Sequence, residues 1–231
     1  MDIIILAGGL GTRLRSVVSD VPKVMAPVNN KPFLEYILEY INKFNFTNVI
    51  LAVGYKSEII EKYFKDKYKR LNLIYSKETE PLGTGGAIKK AMSYSKEENI
   101  VVINGDIIAK IDYNKFFQSI KDNSLKNIIA IKEMTKFSRY GIVEIDEKGI
   151  VKKFKEKQYT EKGYINVGAY ILNKKNFTNI PKGKFSIEKD YFEKIVDKKT
   201  ISTYKYDGIF LDIGIPEDYE KSKTYINKLL L

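Results

Sequence analysis

Apolar residues fall in two rhythms along this chain. Up to residue 131, short unbroken runs at 3–6, 48–53, 71–75, 100–103 and 127–131 alternate with stretches whose apolar positions recur every three or four residues. Unbroken runs of that length read as strands buried on both faces, and the wider spacing reads as helices packed against them. Helices are therefore expected over 12–19, 32–45 (Phe33, Ile37, Leu38, Ile41), 57–65 (Ile59, Ile60, Phe64), 84–93 and 112–121. From residue 137 the strands become shorter and alternating. Segments 141–145 and 149–153 form a hairpin over 146–148, strands follow at 164–172 and 200–206, and a helix is expected near 188–196. Pro216 opens a terminal helix running to about 229. This order predicts an α/β, Rossmann-like doubly wound, mostly parallel sheet. No linker is visible, so a single domain over 1–231 is expected, with residues 1–135 as one half and a small β-rich half, residues 136–231, as a wall beside it.

Composition narrows the chemistry. The 231 residues are 44% hydrophobic and 30% charged, enough for one full core. With 0 Cys and 0 His, disulfide frameworks, thiolate nucleophiles, Cys/His zinc sites and Ser–His or Cys–His pairs are excluded. Any chemistry must run on carboxylates, Lys, Arg, Tyr, hydroxyls, backbone amides and a borrowed metal. The apolar runs are too short to span a bilayer and Asp2 follows no basic leader, so a cytoplasmic protein without membrane contact is expected. The net charge of +11 comes from lysines spread along the whole chain, without the clustered basic and stacking residues of a nucleic-acid binder. Arginine occurs only at 13, 15, 70 and 139. Its rigid fork suits phosphate, which sharpens the stretches where it falls.

Those stretches carry the candidate chemistry. The first apolar run breaks into Gly8, Gly9 and Gly11, followed by Thr12 and Arg13. Glycines let successive backbone N–H groups converge on an anion, which makes this a phosphate cradle. It has neither the third glycine of a dinucleotide fingerprint nor the GK[ST] ending of a P-loop. Lys23 stands on a stiff loop between Pro22 and Pro27, and a second glycine-rich loop, KETEPLGTGG, leads into the helix at 84. Asp106 follows an apolar run, just past Asn104 and Gly105, and Asp212 follows another at 209–211. Acidic residues at the carboxyl ends of parallel strands face the crevice where open α/β sheets bind ligands.

Taken in order, the loop at 7–14, VPKVMAP, LGTGG at 82–86, NGD at 104–106 and FLDIGIPEDY at 210–219 resemble the sugar-1-phosphate nucleotidyltransferase family over essentially the whole chain. Within it, KVMAPVNNKPFLEY and DIGIPEDY are most similar to the D-glycero-D-manno-heptose 1-phosphate guanylyltransferases. The resemblance implies transfer of a nucleotidyl group from a nucleoside triphosphate, here GTP, to a sugar 1-phosphate, here a heptose, giving GDP-heptose and pyrophosphate for surface polysaccharide. The alternatives are a hexose 1-phosphate (mannose or glucose) with GTP, dTTP or UTP, or a non-catalytic nucleotide-sugar-binding module.

It also implies roles. Leu6, Ala7, Gly8, Gly9, Gly11 and Thr12 wrap the triphosphate with Arg13 on its β/γ end, and Lys23 lies near the α-phosphate and the incoming sugar phosphate. Pro81, Gly83, Thr84 and Gly85 lie against the base, whose edge Glu78 reads. A carboxylate only accepts, which suits guanine's adjacent donors, with Glu80 competing for the role. Asn104, Gly105 and Asp106 complete the nucleotide site, and Asp106 with Asp212 holds Mg²⁺. Tyr140, Gly141, Glu156, Lys157, Asn166 and Gly168 surround the sugar. Glu188 and Asp190 either line the same wall or cap a helix, and capping is the favoured reading. Phe210 and Ile215 stand where many relatives carry Trp and Thr, which alters the pocket wall beside Asp212.

Overall fold

The computed structural model describes residues 1–9, 11–14, 16–120, 127–180 and 183–226. Arg15, the end of the helix expected at 121 and the terminal helix beyond 226 lie outside them.

The apolar runs become strands β1 (Asp2–Leu6), β2 (Asn48–Val53), β3 (Leu71–Lys77) and β4 (Asn99–Asn104). They pair in parallel in the order β3-β2-β1-β4. Between them run α1 (Phe33–Ile41), α2 (Ser57–Phe64) and α3 (Gly83–Met92). The unbroken runs have a simple cause. Ile3 and Ile5 pack into the core on one face of the sheet, with α1 and α2, while Ile4 packs into the core on the other face, with α3. Successive side chains alternate between faces, so a sheet covered on both sides needs an apolar residue at every position.

The second half joins this sheet antiparallel. After β5 (Ile107–Ala109) and α4 (Tyr113–Gln118) come β6 (Asn127–Phe137), the hairpin β7 (Ile142–Ile145) and β8 (Val151–Lys155), and β9 (Thr160–Asn173). The 14-residue β9 pairs with β4 through Ala169–Asn173 and with β6 through Thr160–Asn166 and Tyr170–Ile171, so one strand is hydrogen-bonded into both halves. Strand β10 (Ile201–Lys205) runs parallel to β6, and β11 (Phe210–Asp212) pairs with β5 as a separate ribbon ahead of α5 (Pro216–Tyr225).

Three expectations change. Among the described residues of the stretch expected as helix 12–19, only Thr12–Leu14 is helical, followed by a turn in which Val17 and Val18 donate to the Leu14 carbonyl. Of the described residues there Leu14 is buried and Val18 packs partly buried against the same core while Val17 is 47% exposed, an apolar stripe too small to hold a longer helix. The helix near 188–196 begins as a wide, π-type turn over Ile187–Phe192 before tightening through Glu193–Ile195 and Val196–Lys198. The second hairpin strand starts at Val151 because Gly149, at φ +75°, belongs to a turn in which Asp146 accepts from Lys148 and Ile150.

Candidate active site

Beyond the carboxyl end of β1 the chain builds a close-fitting loop. Ala7 is buried, its N–H donating to Ala52 at 2.8 Å. Gly8 crosses so near the next strand ends that a Cβ there would lie 3.0 Å from Glu78 Oε1 and 3.2 Å from the Gly54 nitrogen, whereas Gly9 faces open space. Gly11 takes φ +59°, and a Cβ on it would stand 2.9 Å from Lys23 Cβ. That glycine lets the loop close down on Lys23. Thr12 and Arg13 are exposed.

One cavity of about 440 Å³ opens beside this loop, lined by Leu6, Gly8, Gly9, Glu78, Pro81, Gly83 and Thr84, together with Gly54, Tyr55, Thr79, Glu80 and Ala87. Glu78 Oε2 accepts the Leu82 N–H at 2.9 Å. Burial pushes the Glu78 carboxyl above the usual glutamate value, while the Leu82 N–H and Lys90 pull it back. Gly85 turns the other way. Its N–H donates to the Phe185 carbonyl at 2.9 Å, and a Cβ on it would lie 2.8 Å from Phe185 Cζ.

At the centre, Lys23 stands on a short turn, Lys23–Met25, anchored by buried Val24 and Met25. The turn leads into a ribbon pairing Pro27–Val28 with Lys31–Pro32, whose Asn29 and Asn30 both take positive φ, as a two-residue hairpin turn requires. Hydroxyls of Tyr36 and Tyr219 donate to the carbonyls of Val28 and Pro27, tying this segment to α1 and α5. The Lys23 ammonium is thereby held against Asp106 Oδ2, with its side chain only 10% exposed. Gly105 fits under Leu6, where a Cβ would meet the Leu6 carbonyl at 2.6 Å. The β5–β11 ribbon sets Asp212 opposite Ile107, with the Ile213 N–H donating to the Asp106 carbonyl at 3.0 Å. Burial and the Asp106 charge push the Asp212 carboxyl up, opposed by Lys23 and the Gly214 N–H, which donates to Asp212 Oδ1 at 2.6 Å. Two carboxylates thus face one cation.

A second cavity, of about 340 Å³, takes Asp212 into its wall. Tyr140, Gly141, Glu156, Lys157, Asn166 and Gly168 all line it, as do Asn104, Asp212 and Arg13, which reaches here from the glycine loop rather than into the first cavity. Asn104 is the β1–β4 register partner of Leu6, so the two cavities open on adjacent strand ends. Gly168, at φ +70° in a bulge where β9 slips register against β6, lies directly against the Asn104 side chain.

Several lining residues escaped the sequence. Arg139 pairs with Asp218 and lies over the Tyr140 ring, 5.7 Å from its centroid, while burial and the Asp212 charge push the Tyr140 hydroxyl up. The scarcity of arginine was the available signal for Arg139. Tyr170 looked like one more apolar position of a strand. Glu188 takes the wall reading rather than the favoured cap: Ser186 caps the turn, its hydroxyl accepting from Lys189, and Asp190 accepts the Ser186 N–H at 2.8 Å. Glu188 faces the second cavity instead.

Among the described residues no group of three or more Asp, Glu, His or Cys side chains makes a metal cage, and no helix is long and apolar enough to cross a membrane. Asp106 and Asp212 do suit Mg²⁺, which takes one or two carboxylates and completes its octahedron with phosphate oxygens and water.

Known proteins resemble this chain over nearly its whole length. The family model described as Nucleotidyl transferase matches residues 2–228. The chain is 48% identical over 224 residues to D-glycero-alpha-D-manno-heptose 1-phosphate guanylyltransferase of Aneurinibacillus thermoaerophilus, covering 96% of this chain and 97% of that one. It is 46% identical over 220 residues to the protein of the same name from Campylobacter jejuni, covering 95% and 97%. Among solved structures, HddC from Yersinia pseudotuberculosis complexed with GMP-PN matches with a TM-score of 0.85 at 41% identity, over 96% of this chain and 98% of that one.

Proposed function

We propose, on the premise that the chain belongs to the nucleotidyl transferase family, that it transfers a guanylyl group from GTP to D-glycero-α-D-manno-heptose 1-phosphate. The products are GDP-heptose, for surface polysaccharide, and pyrophosphate. The observation that carries this reading is the pair of cavities opening on adjacent strand ends, with Asp212 in the wall of the second and the Lys23–Asp106 pair just past Asn104, which lines it. The near full-length identity to the heptose 1-phosphate guanylyltransferases supports the substrates.

The first cavity takes the nucleotide. Glu78, acceptor-only when ionised, suits the adjacent N1–H and amino donors of guanine. The second takes the sugar, with Glu156 accepting from hydroxyls and Lys157 holding the sugar's phosphate. That phosphate is anionic near neutral pH and attacks the α-phosphorus in line, forming one P–O bond as the bond to pyrophosphate breaks. No general base is needed, which accords with a chain of 0 His. Two polyanions must still be brought together, and most of the rate enhancement for such a step comes from positioning and charge stabilisation. Lys23 is held against Asp106 by its anchored turn, and Arg13 reaches the second cavity from the glycine loop. Asp106 and Asp212 would hold Mg²⁺, which supplies neutralisation of phosphate oxygens. The reading implies one domain, since β9 is hydrogen-bonded into both halves, acting in the cytoplasm where nucleoside triphosphates are available.

The test is pyrophosphate release over a grid of nucleoside triphosphates and sugar 1-phosphates with Mg²⁺. GTP with the heptose phosphate should give the highest kcat/KM. Activity with pyrimidine nucleotides alone would remove the guanylyl assignment, and a higher kcat/KM with mannose or glucose 1-phosphate would replace the sugar.

A further inference from the structure

Residues lining the two cavities are joined by hydrogen bonds that converge on one carboxylate. On the nucleotide side, the loop entering α3 is bonded to the segment ahead of the wide helical turn: Phe185 N–H to the Leu82 carbonyl at 3.0 Å, Gly85 N–H to the Phe185 carbonyl, and Ile187 N–H to Thr84 Oγ1 at 2.9 Å. Gly83 takes φ +68° with the Phe185 carbonyl 2.6 Å from where its Cβ would be, so the two segments touch without intervening side chains. Thr84 lines the nucleotide cavity, and its hydroxyl, having accepted from Ile187, donates to Glu188 Oε2 at 3.0 Å. The same oxygen accepts from the Ser186 hydroxyl at 2.8 Å.

On the sugar side, the hydroxyl of buried Tyr170 donates to Glu188 Oε1 at 3.2 Å and accepts from Asn166 Nδ2 at 3.0 Å. Asn166 Oδ1 in turn accepts the Gly168 N–H at 2.9 Å, fixing the bulge that lies against Asn104, two residues before Asp106. Every hydroxyl proton along this path is drawn toward one carboxylate. Bonds to an ionised acceptor are the strong ones, and a change in one orients the others.

We propose that Glu188 is a positioning residue coupling the two substrate sites, ordering the base loop through Thr84 and the sugar wall through Tyr170 and Asn166, so that filling one cavity improves binding in the other. This rests on the reading of the cavities as nucleotide and sugar-phosphate sites.

The experiment is a double-mutant cycle in the full chain, Thr84→Val and Tyr170→Phe, with Glu188→Gln alongside. GTP affinity is measured by calorimetry without sugar phosphate, and KM and kcat for the sugar phosphate by pyrophosphate release. Tyr170→Phe, on the sugar side, should weaken GTP binding about fivefold, and Thr84→Val, on the nucleotide side, should raise KM for the sugar phosphate by a similar factor. The double variant should lose less than the product of the single losses, because both act through one carboxylate. Glu188→Gln should reproduce both effects; if it does not fold, the Thr84/Tyr170 cycle decides alone. Effects confined to each residue's own cavity, or strict additivity, would overturn the proposal. A wild-type protein that turns over a different nucleotide or sugar phosphate overturns the substrate assignment only, and the cycle is then read with that pair. Silence with every pair overturns the assignment of both cavities and the coupling with it.

Discussion

Replacing Gly168 by alanine should damage stability and turnover together, by amounts the structure sets. At φ +70° an L-residue with a Cβ pays about 1–2 kcal/mol for left-handed backbone. The new Cβ would lie 2.7 Å from Asn104 Cγ and 3.1 Å from Asn104 Cβ, well inside the roughly 3.5–4.0 Å of ordinary carbon contacts. Overpacking of that kind costs about 1–3 kcal/mol. The sum is about 3 kcal/mol, and at roughly 3 °C per kcal/mol for a chain of this size the melting midpoint should fall by about 10 °C. Relief comes from pushing Asn104 away, which disturbs the strand end carrying Asp106, so kcat/KM should fall by at least about tenfold. Thermal unfolding and pyrophosphate release read the two effects. Adding Asn104→Ala removes the Cγ and amide collision but leaves the backbone strain, so the double variant should regain about half of the lost midpoint. A midpoint within about 2 °C of wild type, or additive losses in the double variant, would refute the close-approach argument.

Asp106→Asn and Asp212→Asn should each lower turnover by about a hundredfold or more while remaining folded; near wild-type rates in either would remove the metal-binding role. Glu78 predicts a pH dependence. Its folded carboxyl is raised by burial, so its contribution to apoprotein stability is fully present below the unfolded glutamate value and is lost as pH rises through the higher folded one. GTP binding, which uses the ionised acceptor, should run the other way and weaken as pH falls through that same range. In Glu78→Gln both trends should flatten relative to wild type in parallel melting and calorimetric titrations, and an unchanged acid limb would discard Glu78 as the base reader. Arg139→Ala breaks a partly exposed pair with Asp218 and should cost at most about 1 kcal/mol of stability, yet raise KM for the sugar phosphate severalfold; an unchanged KM would leave Arg139 outside the sugar site.

How much of this was legible depended on distance along the chain. The parallel strands were readable because each lies in its own apolar run, and the phosphate loop because glycines follow β1 directly. Lys23 was marked by its flanking prolines, although its anchoring through Tyr36 and Tyr219 was not. The two readings for Glu188 and Asp190 divided, since Asp190 bonds locally to the Ser186 N–H while Glu188 lines the second cavity and reaches Thr84 across 104 positions. The second glycine loop likewise conceals two uses: Gly83 lines the cavity and Gly85 makes room for the Phe185 ring.

By itself the sequence determined the α/β alternation, the exclusion of histidine and cysteine chemistry, and the candidate residues at strand ends. These follow from periodicity, backbone freedom and side-chain chemistry, which act over a few residues. Only the tertiary structure decided which of them meet. The three-residue strands β5 and β11 are too short to announce themselves, yet their pairing sets Asp212 beside Asp106; the bulge in β9 brings Gly168 against Asn104; and a wide helical turn carries Glu188 to the wall of the second cavity and to Thr84. Such contacts join segments far apart in sequence, and they form only once the whole sheet has buried both faces and fixed the register of its strands.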